Sequence, residues 1–233
     1  MDKTDPAYEG QSGYNPAMLA VYDLWVLGFM SRAVLHVPVP RFVELYRANV
    51  GHRHLDVGPG TGYAIEKAAP PPDVEITLLD PNPHVLRHCE KRLAAYRPTL
   101  VEADVMKPLP VEGPFDSVAL YFVLHCLRGP QDHKAIAIRN IADVLGPDGV
   151  LFGGTILGLG EQHSKPARSF LRAANKQGGF DNLGDTADGL RTILSASFHD
   201  VDVQIVGSAA MFTARRPRGS ETLTERTAPA DRV

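Results

Sequence analysis

Strand-like and helix-like segments alternate through the middle of the 233-residue chain, between residues 52 and 157. Short apolar runs predict strands, and longer stretches with apolar residues at helical spacing predict helices. Strands that alternate with helices in this way form a parallel sheet with helices on both faces, so an α/β fold is expected. The predicted strands are 54–57, 74–79, 99–103, 115–123 and 150–156, and the predicted helices are 64–69, 83–96 and 131–145.

The segment that follows predicts the closing edge of the sheet. Two further helices are expected at 165–175 and 186–197. Two alternating runs, 201–206 and 209–214, come next, with two residues between them. A connection this short predicts a β-hairpin. We therefore expect residues 51–216 to form one α/β domain.

The two ends of the chain differ from this domain. Residues 1–13 are polar and predict a flexible arm, whereas 14–50 carries helical spacing that Pro38 and Pro40 interrupt. Proline inside a helical pattern breaks it, so two helices are expected there. Residues 217–233 are poor in apolar side chains and have nearly balanced charge, which predicts a disordered tail.

The overall charge argues against polyanionic partners. The chain has 24 Lys and Arg against 27 Asp and Glu, a net charge of −3, which gives no attraction to nucleic acid or to an anionic membrane. The most apolar stretch carries Asp23, Arg32 and His36, which is unsuited to a bilayer-spanning helix. No signal peptide is evident, and the two cysteines form no CxxC pair, so we expect a cytoplasmic protein with reduced thiols.

A glycine-rich turn follows the first predicted strand. It contains Gly58, Pro59, Gly60 and Gly62, and Asp56 precedes the first glycine. Compared with the dinucleotide fingerprint G-x-G-x-x-G, the third glycine comes one residue early. The acid would repel a pyrophosphate and suits a ligand that carries an amino group. The spacing therefore favours a ligand whose contact here is not a phosphate.

Two more acids follow the next two predicted strands. Asp80 comes 24 residues after Asp56, and Asp104 comes 24 residues after Asp80. In a parallel sheet the carboxyl ends of the strands open into one crevice, where ligands bind. An acid after the second strand can accept hydrogen bonds from both ribose hydroxyls, and an acid after the third can accept one from an adenine amine.

On these residues the chain resembles the class I S-adenosylmethionine-dependent methyltransferases that act on small molecules. The resemblance covers roughly residues 50–215 and includes the glycine-rich turn, the acids Asp80 and Asp104, and the segments 115–118 and 145–150. It implies a Rossmann-like, seven-stranded, mostly parallel sheet whose last strand is antiparallel. It also implies that residues 14–50 form a helical lid.

The resemblance implies S-adenosyl-L-methionine as the cofactor. The glycines would pass under its methionine part, Asp80 would hold the ribose, and Asp104 with Val105 would frame the adenine. Aromatic residues of the first helix would contact the ligand. The expected cofactor-binding residues are Tyr14, Tyr22, Asp56, Gly58, Pro59, Gly60, Gly62, Asp80, Pro81, Asn82, Asp104, Val105 and Tyr121.

Methyl transfer is an in-line displacement at an activated methyl group, so placement of the acceptor supplies much of the rate. The resemblance puts His125 beside that methyl group, as a general base or as a group that positions the acceptor. We expect Trp25, His125, Gln162 and His163 to contact the acceptor. The other histidines, His54 included, show no metal-ligand spacing and are expected at the surface or at helix caps, and no metal site is predicted.

The predicted function is methyl transfer to an oxygen or nitrogen atom of a small molecule, with a secondary metabolite as one such acceptor. Two other classes stay open at this point. The chain could be an NAD(P)-linked oxidoreductase, against which the early glycine argues. It could also be a methyltransferase-like binding or regulatory protein without turnover. The sequence is compatible with a homodimer and does not fix the oligomeric state.

Overall fold

The computed structural model describes residues 34–160 and 163–219. Several predictions fall outside these residues: the arm 1–13, most of the segment 14–50, and the last fourteen residues of the tail. Four expected site residues also lie outside them, namely Tyr14, Tyr22, Trp25 and Gln162.

One seven-stranded sheet forms the centre of the described structure, in the order β3-β2-β1-β4-β5-β7-β6. Strands β1 to β5 are parallel to one another, and β7 is antiparallel to both β5 and β6. The predicted fold class is thus confirmed, including the terminal hairpin and the antiparallel last strand. The strands are β1 (Arg53–Val57), β2 (Glu75–Leu79), β3 (Thr99–Val101), β4 (Phe115–Tyr121), β5 (Leu145–Ile156), β6 (Phe198–Val206) and β7 (Ala209–Pro217).

Helices pack on both faces of this sheet, as the alternating pattern predicts. On one face α4 and α6 contribute Ile138, Ile141 and Leu190 to a core that includes Leu55 of β1. On the other face α1, α2, α3 and α5 pack against a second core. The helices are α1 (Val39–Asn49), α2 (Tyr63–Ala68), α3 (Pro83–Arg92), α4 (Ala135–Ala142), α5 (Lys165–Lys176) and α6 (Ala187–Ser195).

The boundaries of some elements differ from the sequence prediction. Helix α1 includes Pro40, because proline is tolerated in a first turn, where its missing N–H has no helical partner. The predicted helix 131–145 is instead a 3₁₀ turn, Gln131–Lys134, followed by α4. Strand β5 begins five residues early because Leu145 already pairs with Phe115 before a register shift.

The parallel strands end side by side, which sets the position of the site. Val57 pairs with Leu79, Leu79 with Val101, and Val57 also with Leu120. The loops after β1, β2, β3 and β4 therefore leave the sheet at one edge. Among the described helices, none is both long and apolar enough to cross a bilayer.

Candidate cofactor and acceptor site

The turn between β1 and α2 takes a conformation that glycine alone adopts easily. Gly58, Gly60 and Gly62 have φ values of 66°, 58° and 74°. A Cβ on Gly58 would lie 2.3 Å from Cγ2 of Val123, whereas a Cβ on Gly60 would meet no atom within 4 Å. The backbone at Gly60 therefore faces open space, which gives a ligand room to approach it. Pro59, between them, is half-buried.

Helix α3 holds this turn from behind. Sγ of Cys89 donates to the carbonyl oxygen of Gly60 at 3.1 Å. Nη1 of Arg92 donates to the backbone oxygen of Thr61 at 3.0 Å and to its hydroxyl at 3.1 Å. These contacts tie the carbonyl oxygens of Gly60 and Thr61 to α3 and so hold the backbone of the turn in place.

Asp56 lies at the end of β1 and is almost fully buried, with 1% of its surface exposed. Its Oδ2 accepts a hydrogen bond of 2.9 Å from the Tyr46 hydroxyl, and no described residue bonds to Oδ1. Burial raises the pKa of Asp56 to about 7; the Tyr46 hydrogen bond opposes this shift and the charge of Asp80 adds to it. A buried carboxylate oxygen without a partner suits a cationic ligand group.

Asp80 follows β2 and is half-buried. Its Oδ1 accepts from the backbone N–H of Asn82 at 2.7 Å, and burial raises the pKa of Asp80 to about 7. Asn82 is buried, and its Oδ1 caps α3 by accepting from the N–H of His84 at 2.9 Å. Asn82 thus orients Asp80 through its backbone, while half-buried Pro81 lies between the two.

Asp104 lies in the loop after β3, at the same edge of the sheet as Asp56 and Asp80. Its Oδ1 accepts from the N–H of Met106 at 2.9 Å, and Nζ of Lys107 lies 3.9 Å from its Oδ2. The next residue, Val105, is 4% exposed and packs into the core beside α4 and α6. Asp56, Asp80 and Asp104 thus lie at or just after the ends of three adjacent strands, as the spacing predicted.

Tyr121 ends β4 and is buried beside Asp56. Its ring stacks on that of Tyr46, with centroids 5.2 Å apart and planes at 23°. Its hydroxyl has no hydrogen-bond partner among the described residues. Burial, with a contribution from the Asp56 charge, raises the pKa of Tyr121 far above its ordinary value. The phenol therefore stays protonated and can donate to a ligand.

Two residues of this cluster were not found from the sequence. Tyr46 has the helical spacing of an ordinary core residue, and nothing in the pattern indicates its bond to Asp56. His54 was expected at the surface, and this was wrong: it is fully buried in β1, where Ser117 Oγ lies 2.8 Å from its Nδ1. Burial lowers the pKa of His54 to about 3, so its ring is neutral. The signal that could have indicated this burial is the place of β1 inside a parallel sheet with helices on both faces, where the side chains on both faces are buried.

His125 lies in a 3₁₀ turn just after β4 and is 3% exposed. Its Nδ1 accepts from the N–H of Ile156 at 3.3 Å and lies 3.4 Å from Oγ1 of Thr155. With Nδ1 occupied as an acceptor, we assign the ring hydrogen to Nε2. Burial, and then the charge of Lys134, lowers the pKa of His125 to about 3. This arrangement favours a neutral hydrogen-bond donor over a proton-accepting base.

An aromatic wall, formed by Phe122, Phe170 and Phe180, lies beside this histidine. The ring of Phe180 lies 4.3 Å from that of His125 and 5.8 Å from that of Phe170, and Phe122 lies 5.9 Å from His125. Phe122 has a φ of 56°, an unfavourable value for a residue with a Cβ. Such strain is concentrated at functional sites.

His163 lies in the loop between β5 and α5 and is 2% exposed. Its Nε2 pairs with the carbonyl oxygen of Gly158, and its Nδ1 has no partner among the described residues. The contact with Gly158 fixes the loop, and its Nδ1 remains available as an acceptor. Its expected contact with the acceptor stays a prediction.

The described cysteines and acids show no other reactive centre. Cys89 and Cys126 form no disulfide, and burial raises the pKa of the Cys126 thiol to about 12, which keeps it protonated. Within residues 34–160 and 163–219, no group of three His, Cys, Asp or Glu side chains could hold a metal ion.

Comparisons with known proteins agree with the fold and identify the family. A family model described as a methyltransferase domain matches residues 55–151. A physcion biosynthesis cluster O-methyltransferase of Aspergillus chevalieri is 34% identical over 221 residues, which cover 94% of this chain and 100% of the relative. A demethylluteothin O-methyltransferase of Streptomyces thioluteus is 38% identical over 192 residues, covering 82% of this chain and 84% of the relative.

A solved structure agrees with the same assignment. The N-methyltransferase NodS of Bradyrhizobium japonicum WM9, in complex with S-adenosyl-L-homocysteine, has a TM-score of 0.63 at 20% identity, and the match covers 91% of this chain and 100% of that chain. This likeness shows the fold, and the closer sequence relatives show the family. The chain therefore belongs to the small-molecule methyltransferases, enzymes that take the methyl group from S-adenosylmethionine.

Proposed function

We propose that this enzyme methylates an oxygen or nitrogen atom of a small secondary metabolite. The observation that carries this proposal is the neutral, buried His125 beside the aromatic wall, next to the loops that bear the three acids. An apolar wall with one directed polar group is typical of small-molecule sites. The two relatives reported above are O-methyltransferases, which supports oxygen as the preferred acceptor atom.

The cofactor cradle is the loop edge of β1, β2 and β3, and its features fit S-adenosylmethionine. The open space at Gly60 leaves room for the methionine part, and the unpartnered Oδ1 of Asp56 suits its ammonium group. Asp80 would hold the ribose hydroxyls, and Asp104 with Val105 would frame the adenine. When bound, the cofactor supplies a methyl group already activated by its sulfonium. Supporting contacts are proposed for Pro59, Pro81, Asn82 and Tyr121, and, outside the described residues, for Tyr14 and Tyr22.

The role of His125 is to position the acceptor. Its Nε2–H can donate to the acceptor atom, and the bond from Ile156 to Nδ1 holds the ring in one orientation. Correct placement of two reactants lowers the barrier without any change in their chemistry. A ring whose pKa lies near 3 takes up a proton poorly at neutral pH, so we propose positioning rather than general base catalysis. Acceptor contacts by Trp25, Gln162 and His163 belong to the same proposal.

Labelled S-adenosylmethionine with a panel of phenols and amines tests this function. We expect labelled product from the wild type, a kcat lowered about tenfold to hundredfold in His125→Ala, and a raised KM for the cofactor in Asp80→Ala. His199→Ala is the matched control, because His199 is exposed on β6. Cofactor binding without product from any acceptor would instead support a binding protein without turnover.

We also propose a setting for the enzyme. Its two cysteines, Cys89 and Cys126, form no disulfide, which is compatible with a reducing compartment such as the cytoplasm. The near-neutral charge supports a small acceptor rather than a nucleic acid.

The domain organisation is also a proposal. The segment 14–50, whose described part includes α1, is proposed as a lid, and residues 51–216 as the methyltransferase domain. A homodimer stays a prediction, which light scattering during size-exclusion chromatography would test.

A further inference from the structure

Lys134 is a buried charge in a place where the fold does not require one. Its side chain is 1% exposed, at the end of the 3₁₀ turn before α4. Its Nζ lies 2.6 Å from Oδ2 of Asp185, itself 5% exposed, and donates to the backbone oxygen of Asp181 at 2.7 Å. Apolar side chains often stabilise such a place at least as well as an ion pair does. The pair therefore calls for an explanation besides stability.

The partners of Lys134 lead directly to His125. The backbone N–H of Asp181, whose carbonyl accepts from Lys134, donates to the backbone oxygen of His125 at 2.8 Å. Phe180, the preceding residue, places its ring 4.3 Å from the ring of His125. Lys134 therefore holds a peptide segment that contacts His125 through both its backbone and its ring.

Further hydrogen bonds join the same two segments. The N–H of Gly129 donates to Oδ2 of Asp181 at 2.9 Å, and Nη2 of Arg128 donates to the oxygen of Gly178 at 2.7 Å. Both of these bonds are less buried than the ion pair. The loop after β4 and the loop after α5 thus form one unit, with Lys134 at its buried end.

We propose that Lys134 is a positioning residue for methyl transfer: its bonds to Asp185 and Asp181 hold Phe180 and the backbone of His125 in the arrangement that directs Nε2 toward the acceptor. Lys134 touches neither acceptor nor cofactor in this proposal. The inference rests on the acceptor-positioning role of His125 given above. It deepens that role by naming the residue that maintains it.

The test must separate positioning from plain stability. Lys134→Met alone leaves Asp185 buried without its cation, which is strongly destabilising. The double variant Lys134→Met/Asp185→Leu removes both charges and keeps the volume filled, so we expect it to fold. It also removes the bond to the Asp181 carbonyl. Thr186→Ala is the matched control, because it removes the cap of α6 next to Asp185 and leaves the Lys134 contacts in place.

In the double variant we expect kcat to fall about tenfold or more, with the KM for S-adenosylmethionine unchanged. The nuclear Overhauser effect between the Phe180 and His125 rings should weaken in the same protein, without any acceptor present. Thr186→Ala should lose stability and keep both kcat and the ring contact. This spectroscopic readout does not depend on turnover.

Two different results would overturn the inference. Wild-type kcat and an intact ring contact in the double variant would show that Lys134 positions nothing. An equal loss of kcat in Thr186→Ala would show that any local destabilisation has the same effect. A wild-type kcat in His125→Ala would instead contradict the proposed role of His125 itself, and the inference with it, whatever the double variant does.

Discussion

At the scale of single residues, Gly58 and Gly60 allow a sharp comparison. Both have positive φ, so an alanine at either position has a similar backbone penalty of about 1 kcal/mol. The new Cβ would clash with Val123 at position 58 and would enter open space at position 60. We therefore expect Gly58→Ala to lose markedly more stability in urea unfolding than Gly60→Ala. Gly60→Ala should mainly weaken cofactor binding in calorimetry, and equal stability losses would contradict this picture.

The raised pKa values of Asp56 and Asp80 predict a pH-dependent affinity for the cofactor. Both carboxyls have a pKa of about 7, so both are largely protonated at pH 6 and ionised at pH 8. If Asp56 holds an ammonium group, it must be ionised. We expect the Kd for S-adenosylmethionine to be about tenfold higher at pH 6 than at pH 8 for each carboxyl that binds only when ionised. Calorimetric titrations at several pH values measure this.

Asp56→Asn provides the control for that titration. It keeps the size of the side chain and removes its ionisation, so the affinity should be low at pH 8 and should vary less with pH. An affinity of the wild type that stays constant from pH 6 to pH 8 would contradict the assignment of both acids.

The three acids of the candidate site could be located from the sequence, whereas Tyr46 and the tautomer of His125 could not. The placement of Asp56, Asp80 and Asp104 at one edge was predictable because each lies at or just after the end of a strand, and parallel strands end at one edge. Tyr46 was not predictable, since its spacing on α1 indicates only burial. The tautomer of His125 was equally hidden, because it depends on the N–H of Ile156, which the fold brings from 31 residues further along the chain.

At the scale of elements, α1 connects to the cofactor cradle through one hydroxyl. Tyr46→Phe removes the donor to Asp56, whose hydrogen bond lowers the pKa of that acid. We expect a stability loss of about 1–3 kcal/mol and a pH dependence of cofactor affinity that moves to higher pH. Urea unfolding and calorimetry measure the two effects.

Tyr96→Phe, in the 3₁₀ turn Ala94–Tyr96, is the matched control for Tyr46→Phe. It also removes a single tyrosine hydroxyl, which donates to the carbonyl oxygen of Pro70 away from the three acids. Its effect on the pH dependence should be nil. A Tyr46→Phe enzyme with the wild-type pH dependence would mean that the hydroxyl does not influence Asp56.

Element types were predicted better than their boundaries, and the reasons are local. Helix and strand periods persist over several residues, so a type can be recognised without its ends. The 3₁₀ turn Gln131–Lys134 leads directly into α4, and its side chains bond to the distant residues Thr186 and Asp185, which no local pattern indicates. The early start of β5 depends on pairing with β4, which no local pattern contains.

At the scale of the whole molecule, the strand order explains why the hairpin matters. Strand β7 pairs with β5 over seven residues: Val150 lies opposite Arg215 at one end, and Ile156 lies opposite Ala209 at the other. The hairpin therefore covers an edge that the parallel strands leave open. The short connection between β6 and β7 made this hairpin predictable. The insertion of β7 between β5 and β6 was not predicted, because alternation does not specify strand order and the family resemblance implied only that the last strand is antiparallel.

Ligand-linked stability tests the identity of the whole protein against the dehydrogenase alternative. A ligand that binds the folded state alone adds about 2.7 kcal/mol at one hundred times its Kd. For a chain of this length that corresponds to a rise in Tm of about 5–10 °C. We expect this rise with S-adenosyl-L-homocysteine in a thermal melt and none with NAD or NADP. Gly60→Arg, which fills the open space at the turn, should lower the Tm of the free protein by only about 2–4 °C, from the backbone penalty at its positive φ, and should lose the rise. A rise with NAD and none with S-adenosyl-L-homocysteine would contradict the cradle assigned here, because the loop edge of β1, β2 and β3 would then bind a dinucleotide instead.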